Sequence, residues 1–219
     1  AWSPDGSNIA FIGEETSFGG YANLFVGGVL NWERSDSNTP VMQLTKEHRE
    51  YPGILYAPSW SPDSELVAVS LNGPTSGVMI LHVNSAKEIL VTDDTSNLLS
   101  KVKEPFPWPN SPATQPSWSP GSDKLIFVAA HSPESRTTLF QVDRDGNNLR
   151  SIVSDNVWNP SYSPDGKYIA YIEYTKDEKR SVGSIIRISP DGKNRDVLAV
   201  VNVAGFKTPF KDYYIRDLS

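Results

Sequence analysis

The sequence predicts an all-β fold made of repeated four-stranded antiparallel sheets, and three observations carry this prediction. A turn motif, in which an aromatic residue precedes Ser-Pro, recurs and begins at Trp2, Trp60, Trp118 and Tyr162. Each copy is followed by an apolar run in which large and small residues alternate, as they do along a strand. The 17 Pro and 15 Gly are spread over all 219 residues, which favours many short strands joined by turns. One sheet per repeat predicts a β-propeller.

The motif itself predicts a hairpin turn. In Ser-Pro-Asp-Gly, Pro presets φ for the second turn position, Asp suits the third, and Gly takes the left-handed conformation that closes the hairpin. Two copies depart from this pattern, because Ser64 stands where Gly is expected and Gly121-Ser122 replaces Asp-Gly. These departures argue against any role that requires the Asp in every blade.

The strand after each turn predicts how neighbouring blades pack. Its large residues point to one face of the sheet and the smaller residue between them points to the other, so we expect large-against-small packing between blades. The four runs are Ile9-Ala10-Phe11, Val67-Ala68-Val69, Leu125-Ile126-Phe127 and Ile169-Ala170-Tyr171. We expect the four motif aromatics to lie in the core between blades. A second hairpin follows each run, for example at Asp143 to Gly146, which gives four strands per unit.

Composition excludes several classes of partner. Lys and Arg total 20 against 26 Asp and Glu, a net charge of −6, and a negative field of this kind repels nucleic acid. The chain has no Cys, which excludes disulfides and thiolate metal sites. No run approaches the roughly 20 apolar residues that span a bilayer, so we expect no membrane insertion. We expect a monomer.

The Trp-Ser-Pro-Asp-Gly turn followed by Ile-Ala-Phe resembles the repeat of TolB-like β-propellers, which recurs in periplasmic proteins and in propeller domains of prolyl-oligopeptidase-type peptidases. The resemblance covers nearly the whole chain, so we take 1–219 as one propeller domain of about four blades. It implies a six-bladed ring and a periplasmic or extracellular location. Tyr213 to Ser219 resembles the strand that precedes the motif aromatic. That segment either completes the first blade and closes a four-bladed ring, or the chain is an excerpt of a six-bladed ring, which is the arrangement we expect.

Aromatic residues concentrate in the segments that lead into the first strand of each unit, at the end of the blades opposite the Ser-Pro-Asp-Gly turns. These segments are 46–57, 93–115, 154–159 and 203–216, and exposed aromatics on loops favour recognition. Alternating prolines in 104–112 stiffen the loop that presents Phe106 and Trp108, although both rings would also suit packing beneath their own loop. The candidate ligand-binding residues are Tyr56, Phe106, Trp108, Trp158, Tyr213 and Tyr214.

The sequence shows no pattern typical of a metal site or a catalytic centre. Turn chemistry accounts for Asp5, Asp63 and Asp165, and the three histidines lie outside any zinc-type motif. There is no Gly-x-Ser-x-Gly elbow and no phosphate-cradling loop. We therefore predict no cofactor, no metal and no catalytic residue. A propeller hydrolase with a divalent cation, built from carboxylates such as Glu104 and Asp155, is the third alternative.

The sequence leaves two main hypotheses for function. The first, which the resemblance implies, is a non-enzymatic scaffold that binds a protein or peptide through its loop-rich face. The second is an accessory domain of a larger prolyl-oligopeptidase-type serine peptidase, in which the propeller filters peptide substrates. A Gly-x-Ser-x-Gly motif followed by Asp and His elsewhere in the polypeptide would favour the second hypothesis.

Overall fold

The computed structural model describes residues 1–15, 21–29, 41–45, 54–72, 77–85, 88–92, 116–130, 137–176 and 181–203, and in these ranges the chain is built from strands and turns. The first sheet has the order β1-β2-β3 and the second β4-β5-β6-β7. The third runs β8-β9-β10-β11 and the fourth β12-β13-β14-β15. The strands are β1 (Asn8–Glu15), β2 (Tyr21–Gly28), β3 (Val41–Gln43), β4 (Ile54–Trp60), β5 (Leu66–Asn72), β6 (Gly77–His82), β7 (Glu88–Thr92), β8 (Ser117–Trp118), β9 (Lys124–Ala130), β10 (Thr137–Asp143), β11 (Arg150–Ser154), β12 (Val157–Tyr162), β13 (Ile169–Lys176), β14 (Ser181–Ile188) and β15 (Arg195–Val203).

The predicted architecture is confirmed: consecutive strands pair antiparallel in four successive sheets. Trp2 bridges to Ile9, so the chain start takes the place of the first strand beside β1. The second hairpins also form as predicted, with β10 turning into β11 and β14 into β15. No helix in the described ranges is long and apolar enough to cross a membrane.

Apolar side chains fill the spaces between successive sheets. Phe127 and Phe140 of the third sheet stack with ring centroids 5.6 Å apart and lie in one cluster with Ala68 and Ile80 of the second. Large residues of one blade thus meet the small and aliphatic face of the preceding blade, as the alternating pattern predicts. Equivalent clusters join the first sheet to the second and the third to the fourth.

Three of the four motif aromatics pack between blades. Trp60 and Trp118 are buried, and their indole N–H groups donate to the main-chain oxygens of Ala1 and Ser59 in the preceding blade. Tyr162 is half-buried and packs against the cluster between the third and fourth sheets. The prediction that Trp2 lies in the core is wrong, since its side chain is 62% exposed. The reason is that none of the described residues forms a sheet against its face.

The turn motif is held by its serine. In the first copy the Ser3 hydroxyl donates to the Asp5 carboxylate and accepts the main-chain N–H of Asn8. In the third copy, where Gly121 replaces Asp, the Ser119 hydroxyl donates instead to Asp123, two positions later. The carboxylate is therefore retained in every copy, although its place in the sequence changes.

The two serines that replace the turn glycine connect neighbouring blades. Ser64 and Ser122 have φ values of 62° and 57°, a left-handed conformation that is costly for residues with a Cβ. The Ser64 hydroxyl accepts the main-chain N–H of Asp5 at 3.2 Å, and the Ser122 hydroxyl accepts that of Asp63 at 3.0 Å. Each bond joins the turn of one blade to the turn of the blade before it, which offsets the backbone strain.

We expect Ser122→Ala to lower the free energy of unfolding by about 1 to 2 kcal/mol, because it removes the bond to Asp63 and keeps the left-handed backbone strain. Ser122→Gly loses the same bond but relieves the strain, so it should cost less than Ser122→Ala. Urea denaturation of both variants measures the difference. Equal losses would mean that the left-handed backbone at position 122 has no measurable cost for a residue with a Cβ.

The described sheets form part of a propeller and do not close into a ring. Side-chain clusters link the first sheet to the second, the second to the third and the third to the fourth. Within the described ranges no such cluster joins the fourth sheet to the first. Tyr213 to Ser219, the segment that the sequence assigns to either arrangement, lies outside the described residues.

Candidate binding surface at the loop-rich end

The structure describes part of the predicted binding set. Phe106, Trp108, Tyr213 and Tyr214 lie outside the described residues, so their role stays a prediction. Tyr56 lies in β4 and Trp158 in β12, the first strands of the second and fourth sheets. The placement of these two residues in loops is therefore wrong.

Tyr56 and Trp158 occupy equivalent places in their sheets. Tyr56 pairs with Ser70 and Trp158 with Ile172, and in both strands a bulge follows before the pairing resumes at Ser59 or Ser161. A bulge lets a strand continue through residues that break the pairing register, including the Pro of each segment. The last residues of these two lead-in segments therefore form strands. In each strand an aromatic residue lies just before the bulge.

Trp158 is half-buried at the loop-rich end of the fourth sheet. Its ring meets Tyr174 of β13 edge to face, with centroids 6.1 Å apart and planes at 83°. Gly183 of β14 lies beneath Tyr174, and a Cβ at that position would come within 3.2 Å of the Tyr174 ring. Because residue 183 is a glycine, the Tyr174 ring has room to lie over it and contact Trp158.

The turn before β12 fixes this strand to β13. Asn156 adopts a left-handed conformation with φ of 50°, which Asn tolerates better than most residues. Its side-chain amide donates to the Tyr174 carbonyl at 3.3 Å, and the Tyr174 main-chain N–H donates to the Asn156 carbonyl at 3.3 Å. Burial raises the pKa of the Tyr174 hydroxyl. Two hydrogen bonds to Tyr174 thus fix the backbone just before Trp158 to β13, which limits the entropy lost when Trp158 binds.

A buried polar group lies on the opposite face of β13, against the third sheet. Glu173 is 7% exposed and accepts two hydrogen bonds from the Arg195 guanidinium, at 3.0 and 2.8 Å. Burial raises the pKa of the neighbouring Tyr171, whose hydroxyl makes no hydrogen bond although the Arg195 guanidinium lies nearby. Tyr171 and Glu173 are thus buried between blades, whereas the Arg195 side chain is 42% exposed.

The carboxylates at the turn end are satisfied by their own turns and, at Asp63, also by Arg144 of the next blade. The Ser163 hydroxyl and the Lys167 main-chain N–H lower the pKa of Asp165 to about 2. At Asp63, burial works to raise the pKa, but the Ser61 hydroxyl, the Glu65 N–H and Arg144 together lower it. The described part of the chain contains no group of three or more His, Cys, Asp or Glu side chains arranged to hold a metal ion.

The fold is shared with solved structures of two kinds. The putative TolB from Agrobacterium tumefaciens matches with a TM-score of 0.60 at 18% identity, over 92% of this chain and 64% of that one. TolB from Acinetobacter baumannii matches with a TM-score of 0.57 at 15% identity, over 89% and 42%. A puromycin-hydrolysing peptidase from Mycobacterium tuberculosis matches with a TM-score of 0.58 at 14% identity, over 90% and 27%. No family model matches the chain.

These likenesses confirm a TolB-like β-propeller fold. The chain spans less than two thirds of the length of each of the three structures. Identities this low show the fold alone, because one scaffold of this kind carries unrelated activities. Function has to be argued from the surface of this chain.

Proposed function

We propose that this chain is a non-enzymatic scaffold that binds a protein or an extended peptide at the loop-rich end of its blades. The observation that carries the proposal is Trp158, a large aromatic left half-exposed at that end and supported by Tyr174. Rigid, partly exposed Trp side chains are the residues that most often dominate the energy of protein interfaces. Tyr56, at the equivalent place in the second sheet, would give a second contact point for the same partner.

The geometry suits an extended ligand better than a compact one. Tyr56 and Trp158 belong to different blades, so a ligand that meets both must cross from one sheet to another. Phe106, Trp108, Tyr213 and Tyr214 would extend this aromatic surface. A periplasmic or extracellular location belongs to the same proposal and depends on the resemblance to TolB-like propellers.

The test is selection of random 12-residue displayed peptides on the immobilised wild-type protein, followed by fluorescence anisotropy with the best peptide. We expect Trp158→Ala to weaken binding about 10- to 100-fold, the range for loss of an aromatic anchor. The matched control is Tyr168→Ala, which removes a half-buried aromatic near the turn end of the same sheet. Circular dichroism melts of both variants separate lost contact from lost stability.

Three results would contradict the proposal. One is a failure to select any peptide above the background of a denatured control. A second is an equal loss of affinity in Trp158→Ala and Tyr168→Ala, which would mean that the change acts through the stability of the fourth sheet. The third is unchanged binding by Trp158→Ala, which would exclude Trp158 as an anchor.

The second candidate function is an accessory propeller domain of a larger peptidase. It is favoured by the likeness to the M. tuberculosis puromycin-hydrolysing peptidase, whose TM-score of 0.58 lies between those of the two TolB structures. In that arrangement the same aromatic surface would select peptides on their way to a catalytic domain. A Ser-Asp-His triad elsewhere in the polypeptide, reactive with a fluorophosphonate probe, would favour this function over the free scaffold.

A further inference from the structure

We draw no further inference here: the strongest candidate, the surface patch of exposed apolar side chains Val197, Leu198 and Val200 on β15, the outer strand of the fourth sheet, carries nothing because the described part of the chain does not show what covers it.

Discussion

Truncation of Phe127 to Ala should lower the free energy of unfolding by about 3 to 5 kcal/mol, the usual cost of removing a large aromatic from a packed core. The ring is 1% exposed, stacks on Phe140 and fills the space between the second and third sheets. β9 pairs with β10 along its whole length, which limits how far the strands can collapse into the cavity. The loss should appear as a lower urea midpoint with little change in slope.

The chain supplies its own matched control in Phe11→Ala. Phe11 has the same place in its sheet and the same stacked partner geometry, but its ring is 41% exposed. This change should cost less than about 1 kcal/mol because the ring is not enclosed by the described residues. Equal costs at the two positions would contradict the assignment of the third sheet's aromatic face as core and the first sheet's as open surface.

The fold was predictable because its signals are local and repeat. Each turn motif specifies a hairpin through Pro, Asp and a left-handed residue, and the following run alternates with the strand period. Ala68 shows the value of this alternation, since a small residue between Val67 and Val69 predicted the face on which Phe127 packs. Four copies of one pattern support one another, whereas any single copy would have been ambiguous.

The exceptions depend on neighbours that the repeat pattern does not identify. Trp2 has the same motif as Trp60, and its exposure depends on the absence of a covering sheet in the described chain. The role of Asp123 required the structure, because the sequence shows only that Gly121 replaces an aspartate. Asp123 is visible in the sequence two residues after Gly121. A search that allowed the turn carboxylate to move by two positions would have identified it.

The sequence predicted which aromatic residues belong to the candidate site, but it did not predict their secondary structure. The aromatic content of the lead-in segments indicated Tyr56 and Trp158, but both were expected in loops. In the structure a bulge accommodates the irregular residues, so both aromatics belong to strands. The support of Trp158 by Tyr174 is a contact between strands, and the strand alternation alone does not reveal it.

Arg195→Met should lower the free energy of unfolding by about 2 kcal/mol, because it leaves the Glu173 carboxylate buried without its two hydrogen bonds. Glu173 is 7% exposed, on the face of β13 that packs against the third sheet. The loss is smaller than the cost for a fully enclosed ion pair, since the Arg195 side chain is 42% exposed and water reaches part of it. Chemical denaturation at pH 7 measures the change.

The double variant Glu173→Leu/Arg195→Met separates the cost of a stranded charge from the value of the pair. If the loss in Arg195→Met comes from an unpaired buried carboxylate, the double variant should recover most of it, because apolar side chains of similar size suit the space between the sheets. If the pair itself contributes the stability, the double variant should remain as unstable as the single one. Recovery would mean that the ion pair contributes no more stability than an apolar pair of similar size at the same place.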